Sequence, residues 1–360
     1  FAMSLPLMGP HRVWIGLWKD KAIRRSLQRS TRWQSSPGGM LDKGAHLRPR
    51  PASRVPTTYI PHVITPTEDL VERLVKLDIK SRPLHVDVFG LPRRQIAQEI
   101  LHLVRKIVFP GIFADNHRVN DSNLKYHLGM LTSELKQVVE DQVTRAILHS
   151  WKDTSPKASQ ECATRAKKIS LDFLEALPHL RQMLQEDVDA AMHGDPAARG
   201  HEEIILCYPG IEAIFIYRVA NTLHRLAVPL IPRIMSAYAH SRTAVDIHPG
   251  ATIGKAIFMD HGTGIVIGET AVVGRNVKLF HGVTLGSISY QDGRTMAGVK
   301  RHPTIEDEVT IYAGASILGG GTIIGTGATI GGAVEVTTSV PPGHMVYQPP
   351  LGLSFRPAKP

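Results

Sequence analysis

From Asp246 to Pro341 an aliphatic or small residue returns every sixth position. The first series is Ile247, Ile253, Met259, Ile265, Ala271, Val277 and Val283; after a break it resumes at Ile305, Ile311 and Ile317, then Ile324, Ile330 and Val336. An amphipathic helix repeats near 3.6 residues and a half-buried strand at 2, so neither fits. A six-residue period predicts a parallel β-helix, in which each short strand and turn stacks on the unit one coil earlier, with roughly eighteen residues per coil. The aliphatic residues form an inward ladder, and glycines such as Gly254, Gly325 and Gly331 suit its corners.

The pattern upstream is helical over about 66–240. Ile96, Ile100, Leu103 and Ile107 follow Pro92 at helical spacing, and Pro110-Gly111 closes that element. Leu124, Leu128, Leu131, Leu135 and Val138 predict a longer helix over about 122–151. Residues 157–192 read as helical with Pro178 opening a second segment, His193-Gly194-Asp195-Pro196 as a turn, and 210–226 and 230–241 as two further helices. The fold class is therefore α+β, with a leader and tail at about 1–60 and 346–360, a helical domain at about 61–240 and the β-helix at about 241–345.

The formal charge of +10 suggests an anionic partner until it is located. Residues 1–56 hold eleven Lys/Arg against Asp20 and Asp42, so the remainder is near neutral and no basic groove for nucleic acid is expected. The acid-poor, Ser-containing leader reads either as an organelle transit peptide or as a disordered tail. The expected location is cytoplasmic, or a mitochondrion or plastid under the transit-peptide reading. Two cysteines, Cys162 and Cys207, exclude a disulfide framework. The most apolar window, Ile204 to Ala220, holds Pro209, Glu212 and Arg218, so no membrane partner is expected.

Residues 287–300 break the beat with a polar, glycine-containing insertion, expected to leave one corner as a functional loop. The slip at Gly319-Gly320-Gly321 reads as turn glycines, since no P-loop lysine follows. Asp246 opens the repeat and His261 follows fifteen residues on, placing them on adjacent coils within plausible hydrogen-bond reach. A carboxylate that fixes an imidazole tautomer makes it a general base toward a hydroxyl; the alternative is a surface Asp-His pair at a turn. Arg301-His302 ends the insertion, and an arginine suits a bidentate grip on a carboxylate.

The run Asp246-Ile-His-Pro-Gly-Ala-Thr-Ile-Gly, then Met259-Asp-His-Gly-Thr-Gly-Ile-Val-Ile-Gly-Glu-Thr-Ala-Val, Val283-Thr-Leu-Gly and Arg301-His-Pro resembles serine O-acetyltransferase. The likeness extends upstream through Asp195-Pro-Ala-Ala, Cys207-Tyr-Pro-Gly and Tyr217-Arg218, and more weakly Asp87–Pro92. It implies a helical domain before a left-handed β-helix and a homo-oligomer, a trimer or dimer of trimers. It also implies acetyl transfer from acetyl-CoA to L-serine for cysteine synthesis. His261 would be the base, oriented by Asp246; Asp195 and Asp260 would hold the substrate ammonium, and Arg301 and His302 its carboxylate. Acetyl-CoA would lie between neighbouring β-helices near Gly286 and Ala313-Gly314-Ala315.

The sequence departs from that pattern in places. Gly286-Ser287 stands where Gly-Gly is usual, and the loop is longer. No Lys or Arg lies between Arg301 and Arg356, so CoA phosphates must find the loop (Arg294, Lys300), backbone or other groups. The family's C-terminal isoleucine is missing, so the cysteine-synthase complex is not expected. His261, His281 and His302 lie near coil spacing, as in a β-helical zinc site, but Arg301 beside one disfavours a cation, and no metal is expected. Glu269 reads as a neighbour of the ammonium subsite or a turn carboxylate, and His248 as a corner residue. Another hydroxyl acceptor, such as a sugar or homoserine, and a non-catalytic scaffold are the competing readings.

Overall fold

A computed structural model of the 360-residue chain describes residues 66–80, 91–114, 118–151, 153, 155–288 and 293–349. The basic leader, Asp87–Gly90 and the chain from residue 350 lie outside them.

Among the described residues seven helices precede the solenoid: α1 (Pro66–Lys80), α2 (Arg94–Val108), α3 (Leu124–Trp151), α4 (Pro156–Gly194), α5 (His201–Cys207), α6 (Pro209–Arg225) and α7 (Ile231–Thr243). The expected helical spans match α2, α3, α6 and α7 closely. The exception is α4, which runs through Pro178 instead of restarting there. A proline inside a helix removes one backbone hydrogen bond, but Phe173, Leu177, Leu180 and Leu184 keep one face buried across it, and that packing carries the helix on. Ser155 caps its start, its hydroxyl accepting from the Ala158 N–H at 3.2 Å.

Beyond Val245 the chain winds into a left-handed parallel β-helix with three sheets. Sheet 1 stacks β1 (Asp246–Ile247), β4 (Val266–Ile267), β7 (Thr284–Gly286), β10 (Ser316–Leu318) and β13 (Glu335–Val336). Sheet 2 holds β2 (Thr252–Ile253), β5 (Val272–Val273), β8 (Thr304–Ile305) and β11 (Ile323–Ile324). Sheet 3 holds β3 (Phe258–Asp260), β6 (Lys278–Phe280), β9 (Thr310–Ile311), β12 (Thr329–Ile330) and β14 (Met345–Val346).

The residues of the six-residue ladder are all buried, yet the ladder is not one register. Each unit buries two positions, one in the strand and one two residues earlier. Ile247, Ile253 and Met259 are strand positions, whereas Ile265, Ala271 and Val277 are the earlier ones. The shift comes from the turn after Asp260, where His261, Gly262 and Gly264 all have positive φ (55°, 79° and 79°). The first coil therefore repeats at twenty residues, Asp246 pairing with Val266, and the next at eighteen, Val266 pairing with Thr284.

The insertion leaves the edge between sheets 1 and 2, and the ladder closes past it, β5 pairing directly with β8. Gly319-Gly320-Gly321 makes room for its base. A Cβ on Gly320 would lie 2.1 Å from the Lys300 carbonyl oxygen, and one on Gly319 would lie 2.8 Å from Ile288 Cδ1.

One core fills the solenoid and continues into Val188 and Ala191 of α4 and Ile211, Ile214 and Tyr217 of α6; a second lies among the helices. A buried ion pair ties helices to coil. Arg218 donates to both carboxylate oxygens of Asp187 (2.5 and 2.7 Å) and to the Gly254 carbonyl (2.8 Å), while the Ile257 N–H donates to Asp187 (3.0 Å). Among the described residues no helix is long and apolar enough to cross a membrane.

Candidate active site

The edge joining sheets 3 and 1 carries His261. It stands in the turn between β3 and β4, its side chain 74% exposed, with Nε2 3.8 Å from Asp260 Oδ2. The next coil places His281 below it, ring centroids 5.8 Å apart. Asp246 starts β1 on the same edge, but no hydrogen bond joins it to His261 among the described residues.

Helices complete this edge. Asp195 caps the C-terminus of α4 and Tyr208 precedes α6, whose start lies tightly on β3: a Cβ on Gly210 would fall 2.4 Å from the Met259 carbonyl oxygen. The Tyr208 hydroxyl donates to Asp195 Oδ2 at 2.6 Å and the Ala197 N–H to Oδ1 at 2.8 Å. These bonds hold the Asp195 carboxyl below the ordinary carboxylate range, with the nearby His261 adding to them. The same bond pushes the Tyr208 hydroxyl up to about 12. Asp195, Asp260 and His261 thus face one space, two carboxylates beside an exposed imidazole. Tyr208 was legible only as part of a motif; its place just before the helix-opening Pro209-Gly210 gave no sign of its bond to Asp195.

Arg301 and His302 stand elsewhere, on the edge between sheets 1 and 2. Arg301 donates from Nη2 to Glu269 Oε2 at 2.5 Å and from Nη1 to the Met296 carbonyl at 3.2 Å. Glu269 accordingly serves Arg301 and not the ammonium-binding side; Arg301 holds its carboxyl below the usual range. His302 is 6% exposed, and burial, with Arg301 adding, lowers its imidazole to about 4. His248, a corner residue as expected, accepts the Gly250 N–H on Nδ1 at 3.0 Å and is lowered to about 4, chiefly by burial. Lys300 is not open to phosphates, since its ammonium donates to the carbonyls of Thr270, His302 and Pro303 (2.8, 2.6 and 3.1 Å). The Arg294 side chain lies outside the described residues.

The two edges are separated by the width of a sheet, about six residues at ~3.3 Å each or roughly 20 Å. One serine cannot reach from one to the other within a single chain. The coenzyme residues divide the same way: Ala313 and Gly314 lie on the His261 edge, Gly286 on the other. Gly286 is buried, and its carbonyl accepts the Gly319 N–H. Ala315 is buried, with its N–H and carbonyl both engaged. Of the three histidines at coil spacing, only His261 and His281 meet. A cleft of about 820 Å3 opens between α4, α6 and β2, lined by Asp172, His179, His224 and Arg225, away from His261.

Known proteins are similar to this chain over much of its length. A serine acetyltransferase (plasmid) of Synechococcus elongatus is 39% identical over 289 residues, covering 78% of this chain and 90% of that protein. The chain belongs to the serine acetyltransferase family. The serine acetyltransferase of Bacillus subtilis is 46% identical over 134 residues, 37% of this chain and 59% of that protein. Among solved structures, serine acetyltransferase 1 of Entamoeba histolytica, in complex with L-cysteine, superposes with a TM-score of 0.59 at 36% identity, covering 69% of this chain and 86% of that one. Serine acetyltransferase isoform 3 of the same organism, in complex with cysteine, gives 0.60 at 29% identity, covering 80% and 96%. No protein-family model matches the chain. As a serine acetyltransferase the chain is an acyl-transferring enzyme of the hexapeptide-repeat class.

Proposed function

We propose that the chain transfers acetyl from acetyl-CoA to the hydroxyl of L-serine, giving O-acetyl-L-serine for cysteine biosynthesis. The observation that carries the reading is the convergence of Asp195, Asp260 and His261 on one open edge. A serine hydroxyl is a poor nucleophile at neutral pH until a base takes its proton during attack. His261 is that base. Its proton passes to the departing sulfur as the C–S bond breaks, so the products are the ester and free thiol and the imidazole returns neutral. Asp246, on the same edge but not bonded to His261 in the single chain, is assigned to support the imidazole, with Asp260 the nearer carboxylate at 3.8 Å. Asp195, kept anionic by Tyr208, and Asp260 hold the ammonium, and fixing the nucleophile in this way removes several kcal/mol of barrier, about 7 at best.

Arg301 and His302 reach that serine from a second copy of the chain, whose loop edge meets the His261 edge of the first. A homotrimer places each pair of unlike edges together. This explains why His261 is so exposed in one chain and why the two clusters are apart. The acetyl-CoA arm runs down the His261 edge. There the turns below His281 are small, with Ala313, Gly314 and Ala333 stacked at ~4.8 Å per coil.

Thiol release from acetyl-CoA by the full chain, with L-serine, L-homoserine or no acceptor, tests the reading. Serine-dependent release that His261→Ala removes supports it. Release with homoserine exceeding that with serine, or a folded oligomer inert with every acceptor, overturns it.

A further inference from the structure

Thr270, next to Glu269, makes four hydrogen bonds to the Arg301-His302 segment. Its hydroxyl oxygen accepts the backbone N–H groups of Arg301 (2.9 Å) and His302 (3.1 Å). Its own N–H donates to His302 Nδ1 at 3.1 Å, and Oγ1 lies 2.9 Å from the same nitrogen. A backbone N–H can only donate, so Nδ1 must present a lone pair and the ring proton must sit on Nε2. The hydroxyl agrees: with both lone pairs taken, its single proton is left to point at Nδ1.

The other ring nitrogen is open. Nε2 has no hydrogen-bond partner among the described residues, and it is not a fully buried orphan. The ring lies where a side chain on Gly268 would be, since a Cβ there would fall 2.0 Å from His302 Cδ2 and 2.1 Å from Nε2. Glycine at 268 therefore leaves space for the ring, and Thr270 sets its proton.

We propose that Thr270 is a positioning residue that locks His302 as the Nε2–H tautomer, so that the subsite presents the Arg301 guanidinium beside one neutral ring N–H. This rests on Arg301 and His302 holding the substrate carboxylate. A guanidinium gives charge and a fork of donors; a neutral N–H beside it adds a directed bond without the repulsion a second cation would bring. The lowered His302 basicity agrees, because the ring stays neutral at working pH. A wrong tautomer would turn a lone pair toward the carboxylate and repel it. Specificity follows: the subsite fits a free α-carboxylate and rejects an amide or ester of serine.

The test pairs Thr270→Val, which removes the hydroxyl at equal size, with Thr270→Ser, which keeps it. In histidine-15N-labelled holo-oligomer, with His302 assigned by its loss in His302→Gln, the ring should show Nε2–H in the parent and in Thr270→Ser. In Thr270→Val the backbone N–H still donates to Nδ1, so Nε2–H should persist, while loss of the hydroxyl that holds the Arg301 and His302 N–H groups should raise the serine KM about tenfold, with the acetyl-CoA KM unmoved. Thr270→Ser should lie within about threefold of the parent. Nδ1–H in the parent overturns the inference, as does a Thr270→Ser enzyme as impaired as Thr270→Val. Arg301→Lys probes the subsite reading separately: an unchanged serine KM there rejects that reading while the ring signature still decides the tautomer.

Discussion

Removing one partner of the Asp187–Arg218 pair should be the most costly single change in the joint between helices and solenoid. The side chains are 0% and 4% exposed, and the carboxylate also takes the Ile257 N–H that starts the third side of the first coil. Burial pushes the Asp187 carboxyl up and Arg218 opposes it. Arg218→Met fills much of the same space but leaves a buried carboxylate without its counter-charge and the Gly254 carbonyl without a donor. Breaking a buried pair in this way costs about 3–5 kcal/mol, a large part of the ~5–15 kcal/mol that holds a typical domain. Asp187 then takes up a proton more readily, so the loss should shrink as pH falls. Asp195 lies two helical turns further along α4, and the same variant should raise the serine KM more than the acetyl-CoA KM. Urea unfolding followed by circular dichroism, at one fixed protein concentration because a homo-oligomer is proposed, reads the first effect, and initial rates read the second. A cost under about 1 kcal/mol at neutral pH would refute the reasoning, since it would mean that water reaches the pair.

Tyr208→Phe should free Asp195 to rise toward an ordinary carboxylate value, moving the acid limb of the rate profile to higher pH and raising the serine KM; an unmoved limb counts against Asp195 as an ammonium ligand. Gly320→Ala sets a methyl group against the Lys300 carbonyl and should displace the loop base, lowering Tm by several degrees for about 1–3 kcal/mol of overpacking. His248 and His302 are both held near 4 in the fold, against 6.5 when free. The unfolded chain thus binds more protons between those values, and stability should be complete above about 6.5 and fall as pH drops toward 4. For the well-buried His302 the upper limit is about 3 kcal/mol. Urea midpoints at pH 7 and 5 check this, and His302→Gln should flatten the difference.

The six-residue beat made the β-helix legible because both buried positions in each unit are aliphatic or small. That same redundancy hid the two-residue shift after Asp260: passing from a strand position to the one before it leaves hydrophobicity unchanged. His261 itself takes a positive φ, which composition does not reveal. The chemical residues were readable as types, but their edges were not read, although the phase was available. His261 follows a sheet 3 strand, while Arg301 precedes a sheet 2 strand. Pro178 misled because a local rule about backbone hydrogen bonds yielded to the packed face of α4. Glu269 reads from the sequence as a neighbour of the ammonium subsite or as a turn carboxylate; it does sit in a turn, but its partner comes from the far end of the insertion.

The ladder's closure past the insertion has an evolutionary consequence. Because β5 bonds β8 with 32 residues between paired positions, as evenly as β2 bonds β5 with 20, length added at that edge alters no other register. Segments can be gained or lost there without disturbing the edge that carries His261. The architecture thus separates a part of the gene free to drift from a part held fixed. Lineages of this enzyme can vary the body of the loop while inheriting the His261 edge, provided the Arg301-His302 end and its support at Met296 are kept.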